Sequence, residues 1–192
     1  MDPLLKLEGV SKSFRKQQVL NQISLDLKPG VYGLVGSNGA GKSTLIRILC
    51  GALKADQGTI SWQGKSTSKN RDFISQLGVM PQNQNGYREF SGLEFLYYMA
   101  ALKGLTNRQA RHRIESLTRE VGLENSLNKK VSSYSGGMRQ RLMFVQALLN
   151  DPKILILDEP TAGLDPYERI RMRNLISRIA RGRLVIIATH IM

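Results

Sequence analysis

The chain has 192 residues, suited to one domain, and its 41% hydrophobic content is enough for a globular core. No apolar run approaches the ~20 residues a membrane helix needs, and the opening residues Met1, Asp2, Pro3, Leu4, Leu5 and Lys6 lack the basic-then-apolar pattern expected of a secretory leader. The net charge of +13, from 28 Lys and Arg against 15 Asp and Glu, favours anionic partners such as nucleotides, acidic lipid surfaces or nucleic acid. The basic residues are nevertheless spread along the chain without interleaved aromatics, so they read as solvated faces and no nucleic-acid partner is expected. The single cysteine, Cys50, excludes an intrachain disulfide and fits a reducing, cytoplasmic setting; among Ile46, Ile48 and Leu49 it reads as core packing.

Residues 4–10 and 19–27 alternate apolar and polar, predicting half-exposed antiparallel strands, and Pro29-Gly30 marks a turn. Residues 31–35 read as a buried strand, followed by a glycine-rich loop and an apolar helix over about 42–53. Residues 59–62 and 77–80 predict further strands. From 91 to 150 the pattern is helical, with helices near 92–103, 107–121 and 135–149. Residues 154–157 and 184–188 are continuous apolar strands flanking a charged helix over about 167–181. Such strands alternating with helices indicate an α/β fold with a parallel sheet, whose ligands bind at the carboxyl ends of the strands.

Gly36, Ser37, Asn38, Gly39, Ala40, Gly41, Lys42, Ser43 and Thr44 match G-x-x-x-x-G-K-[ST], placed between a strand and a helix. The glycines let backbone amides converge on phosphate oxygens, and the helix points its N-terminus at the same anion. Lys42 is expected to reach the β- and γ-phosphates and Ser43 to ligate Mg²⁺. The strand at 154–157 ends in Asp158, placed to hold Mg²⁺, and Glu159, placed as a general base for an attacking water. By itself that acidic pair also reads as a solvated loop or a helix cap; the phosphate loop upstream favours the catalytic reading. Tyr134, Ser135, Gly136, Gly137, Met138, Arg139, Gln140 and Arg141 open a second helix, whose N-terminus is another anion-binding end.

These motifs, in this order, make the chain resemble an ABC-transporter ATPase domain over essentially its whole length. In addition to the phosphate loop, the signature at 135–140 and the acidic strand end, Met80-Pro81-Gln82 resembles the glutamine loop. Residues 161–165 resemble the loop lying across the dimer interface, and Ala188-Thr189-His190 the switch histidine. The resemblance implies a P-loop NTPase (RecA-like) core with an N-terminal antiparallel β subdomain and an inserted α-helical subdomain over about 84–150. It implies ATP and Mg²⁺ as ligands, and a head-to-tail pair of ATPase domains. In that pair Ser135, Gly136 and Gly137 would face the γ-phosphate held by the neighbouring chain, with Asp165 at the interface. Gln82 would sense Mg²⁺ and the γ-phosphate, His190 would contact that phosphate, and Phe14 would stack on adenine, where the family more often has Tyr.

Tyr87, Phe90, Phe95, Tyr97 and Tyr98 follow Gln82. Most of these rings read as core of the helical segment, although the resemblance places a docking groove for a transmembrane permease subunit there. The phrasing at 33–36, 134–141 and 162–166 resembles bacterial exporter ATPases for drugs, antibiotics or peptides. The expected location is the cytoplasmic face of the cell membrane, held peripherally. An alternative is a soluble ABC-type ATPase acting on ribosomes or nucleic acid, but no second ATPase domain, coiled-coil insertion or paired cysteines support it. Family members usually continue beyond the switch histidine, so this sequence is expected to be truncated.

Overall fold

The computed structural model describes residues 4–15, 17–37, 39–82 and 87–189. The alternating N-terminal segments become strands β1 (Leu5–Phe14) and β2 (Gln17–Leu27), paired antiparallel with register shifts at Leu7/Val10, Val10/Lys12 and Lys12/Ser13. Two further strands, β4 (Gln57–Trp62) and β5 (Lys65–Ser66), complete a sheet in the order β2-β1-β4-β5. One face of this sheet packs Leu5, Leu7, Val10, Leu20 and Leu27 into the core while the other meets solvent, the arrangement that alternation specifies.

The second sheet is parallel. It contains β3 (Gly30–Val35), β6 (Leu77–Met80), β7 (Ile154–Asp158) and β8 (Leu184–Thr189), in the order β3-β8-β7-β6. Alternation within the apolar strand β7 serves two cores at once. Ile154 and Ile156 join the cluster under the antiparallel sheet, with helix α1 (Lys42–Leu49); Leu155 and Leu157 join the cluster under the later helices. All four are 0% exposed, each burial worth roughly 1.5–3 kcal/mol.

The expectation of a buried strand at 31–35 is corrected. β3 lies at the sheet edge, and Val31 and Val35 are each 53% exposed on its outer-facing positions. Helix α1 stops at Leu49, short of the expected 53, because Gly51 turns left-handed at φ 71 and the Ala52 and Leu53 amides fold back onto Arg47 O. The short helix α2 (Arg71–Ser75), capped by Asn70, is not legible in the periodicity, and neither is β5.

Helices α3 (Gly92–Leu102) and α4 (Asn107–Val121) each begin with a capping box, Ser91/Glu94 and Thr106/Gln109. They pack with α5 (Gly136–Leu148), and α6 (Pro166–Ile179) links β7 to β8. The aromatic group divides. Phe95 is core at 2% exposure and Tyr97 is partly buried, but Tyr87, Phe90 and Tyr98 are exposed, which corrects the reading of most as core. Tyr87 gathers Phe90, Phe95 and Tyr98 with ring centroids 5.7, 5.2 and 5.6 Å away.

Candidate nucleotide-binding site

The parallel register brings three of the predicted site segments to one edge. Val35 pairs with Thr189, Asp158 with Ala188, and Met80 with Leu157. The loop from Gly36, the Glu159 turn and the Pro81-Gln82 segment therefore all leave the carboxyl edge of the sheet, where open α/β sheets bind ligands.

In the phosphate loop, Gly39 and Gly41 adopt φ 83 and 88. Gly41 has a second reason to lack a side chain: a Cβ there would lie 2.9 Å from Val19 O and 3.0 Å from Leu20 Cδ2. The loop is thus pressed against β2. Gly41 caps α1 without any side-chain hydrogen bond, and the first turn carries no acidic residue, so the helix offers its amides and the positive end of its dipole to an anion. The Lys42 ammonium curls into the loop and donates to Gly36 O at 2.6 Å and Ser37 O at 3.0 Å. Ser43 stands exposed on the first turn of α1.

Asp158 is partly buried at the end of β7 and Glu159 is 6% exposed. Burial, then the adjacent Glu159 carboxylate, push the Asp158 carboxyl above its ordinary range, while the Lys42 ammonium opposes the shift. Two adjacent acids at the edge of a core, beside a hydroxyl-bearing helix end, form a hard-oxygen environment suited to Mg²⁺. Mg²⁺ commonly takes only one or two protein carboxylates alongside phosphate and water. Glu159 sits left-handed at φ 51, held by its amide donating to Ala188 O at 2.9 Å. A non-glycine residue in that region costs roughly 1–2 kcal/mol, and such strain collects at functional sites. Sequence reasoning missed this feature, because nothing in the pair of residues encodes the backbone angle.

Helix α5 begins where the sequence predicts its N-terminus. Ser135 caps α5, its hydroxyl accepting from the Met138 amide at 3.2 Å, which leaves its own proton to donate outward. Gly136 and Gly137 face the loop after β7, where added Cβ atoms would lie 3.7 Å from Gly163 O and 3.5 Å from Leu164 Cδ2. Gln140 fastens α5 to the same loop, donating to Glu159 O at 3.3 Å and Ala162 O at 3.2 Å. Helix α1 packs with Ile154 and Ile156 and helix α5 with Leu155 and Leu157, so the two helices lie on opposite faces of β7 within one chain. Asp165 caps α6 by accepting from the Glu168 amide at 2.9 Å. Phe14 is 44% exposed at the end of β1, with the Lys12 ammonium 5.6 Å from its ring centroid. Gln82 is exposed. Asn38 and His190 lie outside the described residues.

A profile of the family described as ABC transporter matches residues 20–162, which hold the phosphate loop, the signature helix and the acidic strand end. The chain belongs to the ABC transporter family. It carries the ATP-binding domain, and members with this domain are ATPases. It is 38% identical over 195 residues to the uncharacterized ABC transporter ATP-binding protein YdbJ of Bacillus subtilis, spanning 100% of this chain and 62% of that protein. It is 40% identical over 191 residues to the Nod factor export ATP-binding protein I of Burkholderia orbicola, spanning 98% and 63%. The chain therefore spans a little over three-fifths of the length of these relatives. Among solved structures it resembles cbiO1 from Clostridium perfringens, described as part of the ABC transporter complex cbiONQ. That match has a TM-score of 0.86 and 30% identity, covering 100% of this chain and 80% of that one. ABC ATPase subunits thus share the fold: an antiparallel sheet, a parallel sheet and helices of the P-loop NTPase type.

Proposed function

We propose that this chain binds and hydrolyses Mg-ATP and powers transport through a separate membrane-spanning permease, as one of two ATPase domains paired head to tail. The observation that carries the reading is a pair of helix N-termini of the kind that suits an anion. The α1 end holds Lys42, and α5, which begins with Ser135 and its two glycines, packs on the other face of β7. A two-fold pair uses both, because each α5 end closes on the nucleotide seated at its neighbour's α1 end.

In this scheme the amides of residues 36–44, including Ser37, Asn38, Ala40 and Thr44, cradle the phosphates. The Lys42 ammonium leaves the Gly36 and Ser37 carbonyls for the β- and γ-phosphate oxygens. Ser43, Asp158 and Gln82 would hold Mg²⁺, which offsets the phosphate charge. Glu159 takes a proton from the attacking water, and His190 donates to the γ-phosphate. Phe14 lies at the tip of the β1–β2 hairpin, and β2 presses on Gly41, which supports a stacking role against adenine. Asp165 would sit at the interface between the two domains.

Residues from about 84 to 150 would act as the helical subdomain. The exposed rings of Tyr87, Phe90 and Tyr98, adjoining Gln82 in sequence, suit the docking of a permease segment. No described helix is long and apolar enough to cross a membrane, consistent with peripheral attachment to such a partner. The relatives named for Nod factor export support export as the direction. Isolation of the full-length protein from membranes tests the reading. Recovery with a multi-span integral protein supports it, whereas recovery in the soluble fraction with ribosomes or nucleic acid would replace transport with a different use of the ATPase.

A further inference from the structure

β6 is the edge strand of the parallel sheet on the side away from β3. The Gln76 carbonyl, just before it, points inward and accepts from the Ile154 amide at 3.0 Å. Consecutive carbonyls along a strand point to opposite sides, so those of Leu77 and Val79 point to the unpaired edge. That edge is closed by side-chain amides from α5 and the residues just after it. Gln146, 3% exposed, donates Nε2 to Val79 O at 2.6 Å. Asn150, one turn further on, donates Nδ2 to Leu77 O at 3.1 Å and to Ser75 O at 2.8 Å. The Lys103 ammonium donates to Asn150 Oδ1 at 2.7 Å, which fixes the Asn150 amide with its N–H groups towards the strand. Gly78, between the two accepting residues, lets the helix backbone come this close: a Cβ would lie 2.2 Å from Ala147 O.

β6 leads within two residues to Gln82, and the other end of α5 is Ser135. We propose that Gln146 and Asn150 are positioning residues that clamp β6 against α5 and so hold the strand end that delivers Gln82. This inference rests on the reading of Gln82 as a catalytic residue.

The test is steady-state ATP hydrolysis by the full-length protein carrying Gln82→Ala, Gln146→Leu, or both. A leucine side chain at this position would fill the same space but leave Val79 O unpaired. Loss of a buried hydrogen bond to a group that must be held in place predicts roughly a tenfold fall in kcat with KM for ATP within about twofold. Because the clamp acts through Gln82, the double variant should be no slower than Gln82→Ala alone within about twofold. Losses that multiply in the double variant would overturn the clamp and leave the Gln82 reading standing. An unchanged kcat in Gln82→Ala would overturn both. If Gln146→Leu does not fold, Asn150→Asp serves instead: it keeps a partner for Lys103 but cannot donate to Ser75 or Leu77. Here too a slowed reaction, not additive with Gln82→Ala, is expected, and a wild-type kcat would refute the proposal.

Discussion

Replacing Gly78 with alanine adds one methyl group where the fold leaves no room. Its Cβ would lie 2.2 Å from Ala147 O, 2.7 Å from Pro152 Cγ and 3.0 Å from Leu155 Cδ1. The nearest atom is helix backbone, so relief requires α5 to move off β6 rather than one side chain to rotate. Gly78 has no left-handed φ, so chain entropy alone would make alanine stabilising by about 0.4–1 kcal/mol. Overpacking of a tight contact costs about 1–3 kcal/mol, and a clash with backbone belongs at the upper end. The net expectation is a loss of about 2 kcal/mol, or roughly 4–8 °C in Tm for a domain of this size. Gly33→Ala supplies the control in the same sheet, because its Cβ would meet only Val35 Cγ2 at 3.7 Å, an ordinary contact. Thermal unfolding followed by circular dichroism should show Gly33→Ala unchanged or slightly raised and Gly78→Ala clearly lowered. Equal Tm values for the two variants would refute the close approach of α5 to β6.

Ser135→Ala removes the α5 cap and should cost about 1 kcal/mol, while ATP-dependent pairing of chains, measured by light scattering, should weaken and nucleotide binding to a single chain should persist. Asp158→Asn should raise Tm at neutral pH without Mg²⁺. The folded pKa of Asp158 is raised, so its charged form opposes folding above that pKa; the gain should disappear as pH falls below the ordinary carboxylate range, and Mg²⁺-dependent nucleotide binding should be lost. Burial raises the Cys50 thiol from 9.0 to about 11, so at pH 8 alkylation by iodoacetamide should run at least ~100-fold slower in the folded chain than in urea; matching rates would show that Cys50 is not packed as described.

The phosphate loop was legible because its chemistry demands a linear pattern: glycines for the turn, one lysine, one hydroxyl, a strand before and a helix after. The acidic strand end and the α5 cap were legible for the same reason. The edge position of β3 was not, since the apolar content of residues 31–35 fits a strand with one covered face as well as one with two. α2, at five residues, is too short for periodicity to register. The exposure of Tyr87, Phe90 and Tyr98 depends on which helices pack together, and aromatic composition does not report that. Gln140 and Gln146 read as ordinary polar positions on a helix, and Asn150 as a polar residue at its end. Their roles emerge only when β6 and the Glu159 loop are folded against them.

In the proposed pair, the α5 end of one chain closes on the nucleotide held by another. Glu159→Gln in the full-length protein isolates that step, since it removes the proposed base while keeping size and hydrogen-bonding capacity. Sedimentation with saturating Mg-ATP should show a dimer that is absent with ADP or without Mg²⁺. A monomer under all three conditions, in protein that still binds ATP, would contradict the account.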